Sequence, residues 1–223
     1  MVPVYGHRIR PLRQDVPKAR VQGLGKMTAG YSNSTTPMDD RDEARTPGAV
    51  YWWVTKIFGK CDIDLAATAE NALCDRYFTK EDDALSQLWG GGEFGERGWC
   101  NPPYSEPDKW ISAAIWEAQE TGFETLMLLP SLNSNKYEQK IFEFARFIFF
   151  FVGRIQFLRP DGRPFTKTVP VTGKQTIVTN PRGSILVQFK PKEYGQVDPA
   201  INYVRVEDIE HHRWANLYLE VNG

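Results

Sequence analysis

The sequence predicts an α/β fold with a mostly parallel sheet, and three observations carry that prediction. Short apolar runs of strand length alternate with stretches whose apolar residues fall at helical spacing. A strand, helix, strand unit reads without a break from Gly98 to Pro130, and such a unit closes through a right-handed crossover between parallel strands. The chain has 223 residues, 41% hydrophobic and 25% charged, which is enough for one sizeable core. The expected organisation is an irregular basic arm over residues 1–40, one folded domain over 41–190 and a C-terminal tail over 191–223.

Residues 1–40 carry Pro3, Pro11, Pro17 and four glycines with no sustained period, which marks an arm. Thr46-Pro47 then opens a helix whose apolar residues are Val50, Trp53, Val54, Ile57 and Phe58, with Thr46 as its expected N-cap and Gly59 as its stop. Cys61 to Ala67 alternates and ends in small residues, as a buried strand running into a turn does. Thr68 to Leu73 fits a helical turn, and Glu81 to Trp89 a short helix with an acidic first turn. Ser105, three residues before Asp108 with Pro107 between them, is the expected cap of a helix striped by Trp110, Ile111, Ala114, Ile115 and Ala118. Thr125–Pro130, Phe147–Val152 and Gly183–Phe189 read as strands, with a helix over Lys136–Phe144 and an extension of the second strand over Gly153–Leu158. The residues after Pro191 are weakly patterned.

The net charge of -1 conceals a strong polarity. Arg146 to Lys192 holds nine Lys or Arg against the single acid Asp161, and residues 1–26 hold six against Asp15. Residues 39–96 hold thirteen acids and six bases. A basic half of this kind is the footprint expected of a phosphate-bearing partner. No run of eighteen apolar residues occurs and the N-terminus is charged, so a soluble cytoplasmic protein with no membrane partner is expected. Cys61, Cys74 and Cys100 are widely spaced and include no Cys-x-x-Cys pair, which points to neither a disulfide framework nor a zinc site.

The chemistry concentrates in Asn101-Pro102-Pro103-Tyr104, between the end of one strand and the start of a helix. Two consecutive prolines remove two backbone donors and fix φ, leaving the Asn101 and Pro102 carbonyls to face a ligand. An amide, rigid acceptors and an aromatic ring suit a planar molecule with an exocyclic amino group, such as a nucleobase. The same residues would also serve a plain turn. Asp64-Leu65-Ala66-Ala67 ends a second strand, and in open α/β sheets ligands sit beyond such carboxyl ends. Neither a Gly-x-Gly-x-x-Gly loop nor a Gly-Lys-Ser/Thr loop is present, which lowers the expectation of dinucleotide binding or nucleotide hydrolysis.

The ordered set runs from about Arg41 to Phe189. It comprises Thr46-Pro47, Asp62 to Asn71, Tyr77-Phe78-Thr79 with Glu81 to Leu85 and Trp89, Trp99 to Ser105, Leu128-Leu129-Pro130, and Gly153 to Phe157. That set resembles the phage-type DNA adenine methyltransferases. The resemblance implies a Rossmann-like methyltransferase fold with helices on both faces, S-adenosylmethionine as cofactor and the N6 amino group of adenine in double-stranded DNA as target. By it, Asn101 and Pro102, with Pro103 and Tyr104, form the catalytic loop, with Tyr104 stacking on a flipped base. Thr46, Pro47, Asp64, Ala66 and Ala67 match cofactor-binding positions, and Asp82 or Asp83 the contact to its adenosine. Phe165, with Phe157 as competitor, is assigned to the other face of the base, and Arg159, Arg163 and Lys167 to phosphates. Cytosine N4, an RNA base or a protein glutamine remain alternative targets, and a non-catalytic DNA-binding relative is the alternative from another class. Cytosine C5 chemistry is disfavoured because no Pro-Cys nucleophile occurs. Sequence readout is left to the basic loop, the arm, the tail or a second subunit of a homodimer.

Overall fold

A computed structural model describes residues 42–90, 96–131, 136–169, 171–177, 183–191 and 198–210. The expected basic arm over 1–40 lies outside them. Seven strands form the central sheet: β1 (Ile63–Asp64), β2 (Arg76–Tyr77), β3 (Arg97–Cys100), β4 (Glu124–Pro130), β5 (Ala145–Val152), β8 (Ser184–Phe189) and β9 (Ala200–Arg205). Their order is β2-β1-β3-β4-β8-β5-β9. Among these strands only β8 runs antiparallel to its neighbours. Two further strands, β6 (Thr166–Thr168) and β7 (Gln175–Ile177), pair only with each other, as a separate antiparallel ribbon.

Helices cover both faces, and the sheet's alternation shows which residue serves which. Leu126 and Leu128 of β4 pack with Trp99 towards α1 (Gly48–Phe58), whose Val50, Trp53 and Val54 are buried. Met127 and Leu129 point the other way, with Cys100, towards Ile111, Ala114 and Ala118 of α2 (Pro107–Glu120) and Ile141 of α3 (Lys136–Phe144). A strand covered on both faces has no polar side, which is why β4 is buried at all seven residues. At Gly98 an added Cβ would meet Phe123 at 2.9 Å and Leu65 at 3.0 Å, so the sheet and its covering layer approach here as only glycine allows.

Several elements depart from the sequence expectation. Pro47, not Thr46, is the N-cap of α1, and it makes no side-chain capping bond. Glu106 takes that place in α2; the Ser105 amide instead donates to Asp42 Oδ1 at 3.1 Å. The expected helix over Glu81–Trp89 is a single 3-10 turn, Ala84–Ser86, because Asp83 turns left-handed (φ 48°). The second strand ends at Val152, where Gly153 (φ 107°) breaks it, so it does not extend to Leu158. The stretch beyond residue 191 is not merely a tail: β9 extends the sheet parallel to β5, and α4 (Val206–Glu210) buries Val206 and Ile209 beside α1. Among the described residues no helix is long and apolar enough to cross a membrane.

Candidate active site

From β1 the chain steps outward to β2, then returns to the opposite side of β1 for β3. That reversal makes β1/β3 a topological switch point, and the crevice beyond the carboxyl ends of these strands is where open α/β sheets bind ligands. Asp64 and Trp99 are register partners there, and Asn101 stands two residues further on. The crevice is small and open to solvent, and it is lined among others by Thr46, Asp64, Ala66, Trp99 and Asn101.

The Asn101 side chain is oriented by one bond. Its Nδ2 donates to the Ala44 carbonyl at 2.9 Å, and since a carbonyl can only accept, the sense of the amide is set. Its Oδ1 is therefore the end presented; it is buried and accepts nothing among the described residues. Thr46 Oγ1 is in the same condition, which follows from its release from capping. Both atoms lie in the wall of one crevice and keep capacity for further hydrogen bonds.

Asp64 is 3% exposed and accepts from the Ala66 amide at 3.3 Å and the Leu73 amide at 3.1 Å. Burial pushes its carboxyl up to about 6, with the two amides pulling the other way. The loop that follows is closed by the Thr68 amide donating to Asn71 Oδ1 at 2.7 Å. Burial also pushes the Cys100 thiol well up, so it is no thiolate nucleophile at neutral pH.

The other wall comes from the segment after β5. Arg45 and Leu158 exchange both backbone bonds, at 2.8 and 3.0 Å. The Tyr104 ring meets Phe157 edge-on at 6.0 Å between centroids. Phe165 packs on the same apolar cluster, with the Arg159 guanidinium 5.8 Å above its ring.

Of the residues singled out from the sequence, Thr46, Asp64, Ala66 and Asn101 line the crevice together. Pro47 caps α1, Pro102 is buried, Pro103 accepts from the Glu106 amide, and Ala67 is buried with its amide on Phe78 O. Asp83 is exposed and outside the lining, while Asp82 binds the Thr79 amide and hydroxyl, each at 2.8 Å. Arg163 is paired with Asp161 at 2.7 Å, and Arg159 lies 3.8 Å from the same acid. Lys167 lies in β6. Sequence reasoning passed over Ala44, Arg45 and Leu73; they act chiefly through backbone atoms, for which side-chain chemistry gives no signal.

The family described as DNA N-6-adenine-methyltransferase (Dam) matches residues 33–213. The DNA N-6-adenine-methyltransferase of Escherichia phage T1 is 36% identical over 107 residues, which cover 48% of this chain and 43% of that protein. A protein of the same description from Haemophilus phage HP1 (strain HP1c1) is 28% identical over 182 residues, covering 80% of this chain and 95% of that relative. The chain thus spans less than half of the T1 protein and nearly all of the HP1 protein. A sheet whose switch point holds an oriented asparagine, and a family match over most of its length, agree: the chain belongs to the DNA N-6-adenine-methyltransferase (Dam) family.

Proposed function

We propose that the chain transfers a methyl group from S-adenosylmethionine to the N6 amino group of an adenine flipped out of double-stranded DNA. The observation that carries this reading is Asn101, whose oriented amide presents a buried acceptor with nothing yet to accept. An exocyclic amino group conjugated to a ring is a weak nucleophile. Accepting one of its N–H bonds at Asn101 Oδ1 turns its lone pair towards the donor. It also sets partial negative charge beside the nitrogen as that atom becomes positive.

The residues of the crevice fit the cofactor. Thr46 offers an unpartnered buried hydroxyl, Asp64 a carboxylate with capacity beyond its two amides, and Ala66 a small side chain that leaves its backbone approachable. When bound, S-adenosylmethionine supplies an electrophilic methyl on a sulfonium sulfur. Tyr104 stacks on the base, and Phe157 keeps its ring from turning away. Stacking of this kind is worth about 1–3 kcal/mol per base and offsets part of the cost of flipping. Of the two acids that the resemblance matches to the adenosine contact, Asp82 is committed to its own turn and Asp83 stands outside the crevice lining. Phosphates fall to Arg159, Arg163 and Lys167.

The test is transfer of label from methyl-tritiated cofactor to duplex DNA, followed by digestion to nucleosides. Label in N6-methyladenine, with Asn101→Ala at least about 100-fold slower, is the expected result. Equal labelling by the variant rejects the site, and label in N4-methylcytosine rejects the base. Absence of both labelling and cofactor binding, with DNA present, would point to a non-catalytic relative.

A further inference from the structure

We propose that the β6–β7 ribbon reads base sequence in the major groove of the DNA, with Gln175 recognising the edge of an adenine; this rests on the DNA reading above. The ribbon springs from the site itself. β5 runs parallel to β1 and β3 and β8 runs against them, so the segment between them leaves and re-enters the sheet at the edge where Asp64 and Asn101 lie. Its root is joined to the site by the Arg45–Leu158 bridge and the Tyr104–Phe157 contact.

Beyond that root none of the described residues from 166 to 177 belongs to either core cluster, and Val171 is 93% exposed. Its tip is nonetheless closed, by the Val169 amide on Lys174 O at 2.9 Å and the Gly173 amide on Val169 O at 2.8 Å. A closed ladder with one face exposed along its length is a shape held ready for a groove. The major groove, about 12 Å wide, admits a two-stranded ribbon whose strands lie about 4.8 Å apart.

The charge pattern selects which surface meets which part of DNA. Register places Thr166, Thr168, Gln175 and Ile177 on one face, all exposed and none charged. Hydroxyl, amide and methyl groups are what read base edges and thymine methyls. Positive charge stands at the tip, in exposed Lys174, and at the root, where Arg159 and Arg163 share Asp161 and keep one net positive charge, so that phosphate backbones would flank the groove. Gln175 is also oriented: its Nε2 donates to Thr168 Oγ1 across the ladder at 2.8 Å. One N–H and Oε1 then remain, the pair that bonds adenine N7 and N6 together. Three paired residues per strand span about 10 Å, or roughly three base pairs.

Duplexes with randomised sequence are methylated by the full chain, and the modified molecules are recovered and sequenced. Gln175→Ala should lose preference for adenine at one position by about ten- to hundredfold, keeping its thermal midpoint because it leaves the core untouched. Lys174→Ala should slow all sequences alike and reduce the salt slope by about one. An unchanged pattern with Gln175→Ala, or a uniform loss over all sequences, overturns the proposal. If the wild-type chain methylates no duplex, the DNA reading falls, and the ribbon proposal with it.

Discussion

Two buried carboxylates, one ending β1 and one opening β4, stand two steps of strand register apart, and the protein treats them differently. Glu124, the first residue of β4, is 8% exposed and clamped: Arg97 Nε approaches Oε1 at 2.6 Å, Arg97 Nη2 approaches Oε2 at 3.0 Å, and Gln188 Nε2 adds a bond of 2.7 Å. Arg97 also donates to the Phe58 carbonyl at the end of α1. Asp64, at the last residue of β1, is 3% exposed and, among the described residues, is bonded by two backbone amides and by no cation. A charge that serves the fold is compensated by the fold. The carboxylate left without a bonded cation has its pKa raised, chiefly by burial, and it is the one that the proposed reading gives to a ligand.

The sharpest test of the contrast is at the clamped end. Glu124→Ala leaves the Arg97 guanidinium half-buried without its anion and should cost about 3–5 kcal/mol in urea unfolding; a loss below about 1 kcal/mol would show the clamp to be dispensable. The next effect belongs to Asp64. Below pH 3.8 its carboxyl is neutral whether the chain is folded or not; between there and about 6 only the unfolded form ionises, so stability falls as pH rises. Relative to Asp64→Asn, the wild type should lose about 3 kcal/mol across that window, and parallel pH profiles for the two proteins would break the comparison. Calorimetry on Asp64→Asn should also show cofactor affinity reduced about tenfold, since a neutral amide cannot hold both loop amides as the carboxylate does. The smallest effect is at Thr46. Thr46→Val removes a buried hydroxyl that serves no bond in the fold, so its unfolding midpoint should hold or rise slightly while cofactor binding weakens several-fold. A clear loss of stability would mean that the hydroxyl works for the fold after all.

How far the sequence could be read followed burial. The β3-α2-β4 unit was legible because each element buries a full face, so its apolar residues mark both the element and its period. The Asn101-Pro102-Pro103-Tyr104 loop was legible because two prolines and an amide constrain chemistry locally. β9 was not: on a sheet edge, Ile201 and Tyr203 are exposed and only Val204 is buried, so no contrast separates its faces. The β6–β7 ribbon escaped for the same reason, since neither strand has a buried side. Thr46 and Ser105 looked like caps because capping is the common use of a hydroxyl before a helix. At Ser105 a contact with remote Asp42 overrode that prior, and at Thr46 the helix begins one residue later, with Pro47 as its cap. The bond from Asn101 to Ala44, 57 residues away, lies outside the reach of any local pattern.

The Arg45–Leu158 bridge has a consequence for how the two walls are coupled. Arg45 adjoins Thr46 in the crevice, and Leu158 adjoins Phe157, which braces Tyr104. Two backbone bonds therefore yoke the wall that would hold the cofactor to the wall that would hold the base, with no flexible linker between them. If, as proposed, these walls hold donor and base, any coupling carried through the two bonds is reciprocal: the donor changes the grip on the base by the same factor as the base changes the grip on the donor.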